Sequence, residues 1–257
     1  MGKKYIKVFA DAQSLSAYAA EFYLRTANEA RVANQNFLVA LSGGSTPARM
    51  YRLLAEPPFR DALAWDKSLF FWGDERCVPA DDPESNYFQA YQLLLGPVGV
   101  PASNIFRVKG ELEPDEAAKE YIGQLKLLAA EGRRFPAFDL VFLGLGSDGH
   151  TASLFPGSAL GGDLPAMHVS ASYQGRPASR VTLTPEVFNT ASNVVFMAAG
   201  KDKADALFAT LAGRFDPLAY PAQRITPENG NLIWLVDQSA AGMLPDCVDR
   251  FEIERYA

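Results

Sequence analysis

The arrangement in this chain best suited to moving a proton is a histidine set among glycines and small polar residues directly after an apolar run. It lies in Phe138-Asp139-Leu140-Val141-Phe142-Leu143-Gly144-Leu145-Gly146-Ser147-Asp148-Gly149-His150-Thr151-Ala152-Ser153-Leu154-Phe155-Pro156, and His150 is one of only two histidines. A neutral imidazole, with an ordinary pKa of about 6.5, accepts a proton at neutral pH. Asp148, two residues earlier, is placed to fix the tautomer and stabilise the imidazolium. A hydrogen-bonded structural histidine is the bland alternative, but a position beyond a buried strand turns the ring toward a cleft. Three other chemistries compete for the same run. Gly144, Gly146 and Gly149 satisfy G-x-G-x-x-G, yet the motif is mid-chain, residues 165–175 lack the expected acidic side chain, and a histidine follows the third glycine. Ser147 lacks the G-x-S-x-G frame of a nucleophile elbow because Leu145 stands at its first position. There is no H-E-x-x-H and no C-x-x-C, and His168 is the other imidazole, so a catalytic metal is poorly supplied. What remains is attack by water with His150 as general base, with no metal and no cofactor expected.

A second segment is suited to holding an anion. In Ser42-Gly43-Gly44-Ser45-Thr46-Pro47 the paired glycines open backbone conformations closed to other residues. Thr46 followed by Pro47 reads as an N-cap and first helical position. Unpaired amides at a helix start attract a phosphate without any net positive charge on the protein, although a plain strand-to-helix turn would look similar. No Lys precedes Ser or Thr after the last glycine, so this is not a Walker A loop. Asp74-Glu75-Arg76 brings two carboxylates that can bond sugar hydroxyls and a guanidinium that can steady developing negative charge, unless it is merely a solvated turn. Arg180 and Lys203 can add fixed positive charge to a phosphate held by the first loop, though each alone reads as an ordinary surface cation.

These residues need a scaffold that brings separate loops together. Short apolar runs alternate with amphipathic stretches, the pattern of an α/β fold with a mostly parallel sheet and helices on its faces. The predicted strands are 5–9, 37–41, 69–72, 140–145, 194–198 and 232–236. Helical spacing of Leu15, Tyr18, Ala19, Phe22 and Ala30, and of Ala118, Tyr121, Ile122, Leu125 and Leu128, predicts crossover helices, the second over 115–128. Glu56-Pro57-Pro58, Gly96 to Pro101 and Gly157 to Pro165 read as connections, and one domain over residues 1–257 is expected. Leu41, Trp72 and Leu143 run straight into the three polar segments, which then lie beyond the carboxyl ends of strands, where open parallel sheets bind ligands.

Bulk composition agrees with an ordinary globular enzyme: 257 residues, 48% hydrophobic and 21% charged. A formal charge of −6, from 24 Lys and Arg against 30 Asp and Glu, argues against nucleic acid or an anionic membrane as partner. No apolar run approaches the roughly 18 residues of a membrane span, and the N-terminus lacks a signal-peptide core. Cys77 and Cys247 form no disulfide framework, which points to a reducing, cytoplasmic setting. No feature points to a particular oligomeric state.

Ser42-Gly43-Gly44-Ser45-Thr46-Pro47, Trp72-Gly73-Asp74-Glu75-Arg76 followed by Glu84-Ser85-Asn86-Tyr87, and the block from Gly144 to Pro156 closely resemble, in order, the 6-phosphogluconolactonase family. The third block is the most specific. The resemblance implies a Rossmann-like sheet with helices on both faces, shared with glucosamine-6-phosphate deaminase and ribose-5-phosphate isomerase, and a place in the oxidative pentose phosphate pathway. It also implies a small-molecule partner, a phosphorylated sugar lactone. By position, His150 resembles the family's general base, Ser42 to Thr46 with Arg180 and Lys203 its phosphate cradle, and Arg76 its substrate-side cation. Lys201 competes with Lys203, and the family's Gly-x-x-Lys spacing favours Lys203. The implied mechanism has His150 deprotonate water that attacks the lactone carbonyl, Arg76 or backbone amides stabilise the oxyanion, and the ring oxygen leave. The alternative is the deaminase/isomerase branch, in which Tyr normally stands where this chain has Arg76 and Ile-Ala-Phe-Asn-Glu where it has Thr151 to Phe155. A non-enzymatic sugar-phosphate sensor would dispense with His150.

Overall fold

The computed structural model describes residues 2–33, 35–158 and 162–256. In chain order the elements are β1 (Lys4–Phe9), α1 (Ala12–Val32), β2 (Phe37–Leu41), α2 (Ser45–Leu54), the single turn α3 (Phe59–Ala62), β3 (Ser68–Trp72), β4 (Asp74–Arg76), α4 (Asn86–Ala90), α5 (Pro114–Leu127), β5 (Leu140–Gly144), β6 (Ala166–Ser170), β7 (Ser179–Leu183), α6 (Pro185–Asn189), β8 (Asn193–Ala198), α7 (Ala204–Leu211), β9 (Asn231–Asp237) and β10 (Glu252–Arg255). Seven strands form one sheet in the order β10-β1-β9-β8-β5-β2-β3, every pairing parallel. Alternate side chains enter two separate cores. Leu69, Phe71, Val141 and Leu143 face one, and Phe70, Trp72, Leu140 and Phe142 the other. Burial on both faces is why these strands read as continuous apolar runs.

Helix starts follow local chemistry. Asp11 caps α1 by accepting from the amides of Gln13 (3.0 Å) and Ser14 (2.8 Å). Pro114 begins α5, with Asp115 and Glu116 in its first turn. The start of α2 differs from the expectation of a Thr46 cap and Pro47 first turn. Its N-cap is Gly44, at φ +113°, and no side chain caps it. That φ is open to glycine, so the chain turns into the helix two residues earlier and Thr46 falls inside the first turn.

Three strands form a second, antiparallel sheet in the order β4-β7-β6, packed on α5. The expectation of a simple loop over Asp74-Glu75-Arg76 is therefore corrected, because these residues are a strand pairing with Thr182, Val181 and Arg180. Gly73 is the pivot. Its amide donates to the Leu41 carbonyl of the main sheet (2.8 Å), while its own carbonyl accepts from Leu183 of the small one (2.8 Å). Residues 159–161 of the expected 157–165 connection lie outside the described residues.

Candidate active site

Within the main sheet β2 leads to its neighbour β3 and β5 leads to its neighbour β8 on the opposite side, so the loops leaving the adjacent carboxyl ends of β2 and β5 diverge. Such a divergence opens a crevice in a parallel sheet. A cleft of about 330 Å³ lies there, lined by residues of the loops after β2, β5 and β8, of β4 and the start of α4, and of β7 and the β6–β7 hairpin.

His150 enters from the β5 loop. Its Nδ1 lies 2.6 Å from Oδ1 of Asp148, which also accepts from the His150 amide at 3.1 Å. Against burial, which alone would raise it, the hydrogen bond and charge of His150 hold the Asp148 carboxyl below the usual carboxylate range. A carboxylate at Nδ1 keeps the proton on that nitrogen and leaves Nε2 as the acceptor. The loop closes tightly, with the Gly146 amide donating to the His150 carbonyl (2.8 Å) and the Gly149 amide to the Gly146 carbonyl (3.0 Å). A Cβ on Gly146 would sit 2.1 Å from His150 Nδ1, so the residue beneath the imidazole has to be glycine.

Asp74 and Glu75, adjacent on β4, have opposite fates. Asp74 lines the cleft, accepting from Ser153 Oγ (2.6 Å), while Asn86 Nδ2 donates to its backbone carbonyl (2.8 Å). Glu75 points away and is 2% exposed. Its carboxylate accepts from the amides of Arg76, Asn86 and Tyr87 (2.7 Å each) and from Ser85 Oγ (2.9 Å), capping the start of α4. Burial pushes its carboxyl up to about 7, with those four donors working against the rise. It has no capacity left for sugar hydroxyls, which corrects the expectation that both carboxylates reach substrate.

The cations gather where the small sheet meets the cleft. Arg76 and Arg180 are cross-strand partners. Arg180 is 3% exposed, its Nε donates to the Pro177 carbonyl (3.1 Å), and its Nη2 is buried without a partner among the described residues. Burial pulls its guanidinium below the usual arginine range; Asp74 opposes that, and Arg76 and Arg176 add to it. An anion arriving here would relieve that repulsion and satisfy the orphaned donor. Lys203 lines the same cleft with its Nζ 3.0 Å from Asp202, and Lys201 does not line it.

The first loop is partly occupied by protein contacts. The Ser42 amide donates to Tyr51 Oη (3.2 Å), and the Gly44 amide to Gln89 Oε1 (3.0 Å). This leaves the amides of Gly43, Ser45 and Thr46, together with Ser42 Oγ, without partners among the described residues. Gly43 permits close approach, since a Cβ there would lie 1.8 Å from Asn86 Oδ1.

Of the residues singled out from sequence, Ser42, Gly43, Gly44, Ser45, Asp74, Arg76, His150, Arg180 and Lys203 share this one cleft, and Asp148 stands behind His150. Thr46 does not line it. Sequence reasoning assigned no role to Asn86, Tyr173, Gln174, Arg176 or Asp202, which do. Asn86 falls within a quoted motif, whereas Gln174-Gly175 lacks the Asn-Gly or Asp-Gly pair that marks a tight hairpin turn in sequence. Among the described residues no three His, Cys, Asp or Glu side chains gather as a metal site requires.

Residues 10–234 match the model of the family described as glucosamine-6-phosphate isomerases/6-phosphogluconolactonase. The chain belongs to this family. Within it, a 6-phosphogluconolactonase of Synechocystis sp. is 43% identical over 210 residues, covering 79% of this chain and 82% of the relative. The solved structure of the Trypanosoma brucei 6-phosphogluconolactonase superposes with a TM-score of 0.83 at 32% identity, covering 95% of this chain and 100% of that one. A monomeric glucosamine-6-phosphate deaminase shares the fold, with a TM-score of 0.79 at 20% identity over 92% of this chain and 99% of the other. The family's description names both an isomerase and a lactonase branch.

Proposed function

We infer that this chain hydrolyses 6-phosphogluconolactone to 6-phosphogluconate, the lactone-opening step of the oxidative pentose phosphate pathway. Relatives on the lactonase branch support the reaction. The observation that carries the mechanism is the 2.6 Å contact between His150 Nδ1 and Asp148 at the edge of a cleft whose other walls are cationic and amide-rich. Nε2 of His150 takes a proton from water as the water oxygen bonds to the lactone carbonyl carbon. Negative charge collects on the carbonyl oxygen, where Arg76 stabilises it. Collapse of that intermediate breaks the bond to the ring oxygen, which receives a proton from the imidazolium. Positioned proton transfer of this kind contributes about 10²- to 10⁴-fold in rate. Arg180, Lys203 and the free amides of the first loop hold the phosphate, so binding energy remote from the reacting carbon becomes alignment there. Asp74, fixed by Ser153 and Asn86, accepts from a sugar hydroxyl.

The deaminase branch is the second reading, since its phosphate would fit the same cradle. It needs ring opening and a proton shuttle between adjacent carbons, for which a further free carboxylate beside the histidine is required. Thr151 and Ser153 follow His150 instead, and Asp148 is committed to Nδ1. Given 6-phosphogluconolactone and glucosamine 6-phosphate, the enzyme is expected to open the first and release no ammonia from the second. Ammonia release at a rate comparable to lactone opening would reverse the assignment. Activity is also expected to survive exhaustive chelation, with recovery on adding zinc or magnesium as the contrary result. Among the described residues no helix is long and apolar enough to cross a membrane. Two unpaired cysteines fit a cytoplasmic reaction.

A further inference from the structure

Asp148 fixes one nitrogen of His150, and a single hydrogen bond leaves the imidazole free to tilt about its axis. Two aromatic rings restrict that tilt. Phe155, from the same loop, has its centroid 4.6 Å away at 34°. Tyr173, from the tip of the β6–β7 hairpin, has its centroid 4.6 Å away at 79°, an edge-to-face contact. The hairpin tip is built rather than loose. The Ala171 amide donates to the Ala178 carbonyl (3.0 Å) and the Arg176 amide to the Tyr173 carbonyl (3.0 Å). Between them Gln174 and Gly175 sit at φ +50° and +69°, the paired left-handed residues of a tight two-residue turn. Two latches hold this tip across the cleft. Tyr173 Oη lies 3.3 Å from Ser147 Oγ on the histidine loop, and Arg176 Nη1 lies 3.3 Å from Glu84 Oε2 on the segment that also receives Arg76.

We propose that Tyr173 is a positioning residue for the general base, its ring holding the His150 imidazole in the plane that turns Nε2 toward the substrate. The proposal rests on the reading of His150 as base. An edge-to-face aromatic contact shifts a conformational equilibrium by about 2- to 13-fold, which sets the scale of the effect on the base. The hydroxyl contact to Ser147 is secondary, because it steers the hairpin rather than the imidazole.

The test combines kinetics on freshly generated lactone, corrected for spontaneous hydrolysis, with the imidazole proton resonances. Two histidines give two sets of signals, and His168→Gln assigns them. Tyr173→Ala is expected to lower kcat about 10-fold with KM within about twofold of wild type, and to move the His150 signal as the ring current is lost. Tyr173→Phe, which keeps the ring, is expected to restore both. Arg176→Ala cuts the Glu84 latch without touching the imidazole and is expected to leave the His150 signal in place. Wild-type kcat in Tyr173→Ala overturns the proposal, as does a rise in KM alone, a fall in kcat with the signal unmoved, or failure of Tyr173→Phe to restore kcat. A shift in Arg176→Ala as large as that in Tyr173→Ala would overturn it too, assigning the effect to hairpin closure. If His150→Ala is inactive while Tyr173→Ala is fully active, only the positioning role falls. If His150→Ala is itself active, the base assignment falls.

Discussion

The main sheet and the small sheet meet at Gly73 and contribute different halves of the chemistry. Loops from the parallel sheet carry His150, the proposed base, and the amides of the first loop, whereas the antiparallel sheet carries Arg76 and Arg180 as cross-strand neighbours. The central strands of the first are buried on both faces, but β6 is half-exposed along most of its length. The proposed proton chemistry is thus anchored on the main sheet and most of the positive charge on a smaller layer laid across it. On this division, loss of His150, the proposed base on a main-sheet loop, acts on kcat, and loss of Arg180 on the small sheet acts on KM.

The largest effect expected is from His150→Ala, a fall in kcat of about 10²- to 10⁴-fold with KM nearly unchanged. Initial rates of lactone opening after subtraction of spontaneous hydrolysis would show it, and wild-type turnover would remove His150 from the mechanism. Arg180→Ala tests the other half. Loss of a charge-assisted hydrogen bond, worth about 1.5–3 kcal/mol, is expected to raise KM for the phosphorylated lactone about 10- to 150-fold. An unphosphorylated lactone should be nearly indifferent. Equal losses on both substrates, or a fall in kcat alone, would break the division of labour.

Glu75 sharpens the comparison by pH. Its folded carboxyl holds a proton up to about pH 7, whereas its ordinary value is 4.5. The native state therefore binds more protons between these values, so this contribution to stability is full below about 4.5 and is lost as pH rises through about 7. With the group almost wholly buried, the loss is on the order of 3 kcal/mol. Urea melts at pH 5 and pH 8 should show it in wild type and not in Glu75→Gln, whatever that variant's overall stability. A parallel pH dependence in both proteins would place the proton elsewhere.

The smallest effect expected concerns two buried tyrosines that do the same task at the ends of neighbouring strands. Tyr51 Oη donates to the Ser42 carbonyl (2.6 Å) and accepts from its amide (3.2 Å). Tyr121 Oη does likewise at Trp72 (2.8 and 2.9 Å). Tyr51→Phe and Tyr121→Phe should each destabilise by about 1–3 kcal/mol through the unsatisfied backbone groups. Tyr51→Phe should in addition raise KM, because Ser42 belongs to the loop proposed to hold the phosphate. Identical kinetics in the two variants would show that loop to be held by other contacts.

The main-sheet strands were legible because burial on two faces writes itself as an apolar run, and all six predicted strands are present with bounds shifted by a residue at most. β10 was not legible. Its sequence, Glu-Ile-Glu-Arg, is an edge strand with little buried surface. The small sheet was missed for a related reason. β4 is three residues long and wholly charged, and its partner Thr182 lies over a hundred positions from Asp74, so no local pattern announces the pairing. The cap of α2 was misplaced because Thr-Pro is a strong signal and the φ of Gly44 leaves no trace in sequence.

By itself the sequence determined the alternation of strand and helix, the polar segments beyond three carboxyl ends, and the two-residue spacing that lets Asp148 reach His150. These are local matters of periodicity, glycine and short reach. The tertiary structure alone decided which of two adjacent carboxylates serves the cleft. Successive strand residues point to opposite faces, and only pairing with β7 sets the face of β4 that is cleft and the face that is α4. Asp74 thereby came to face Ser153 and the site, and Glu75 to cap a helix. The same long-range pairing brought Arg180 beside Arg76 and laid Tyr173 against His150, because a contact between distant segments is fixed by how whole elements pack and not by the residues that end up touching.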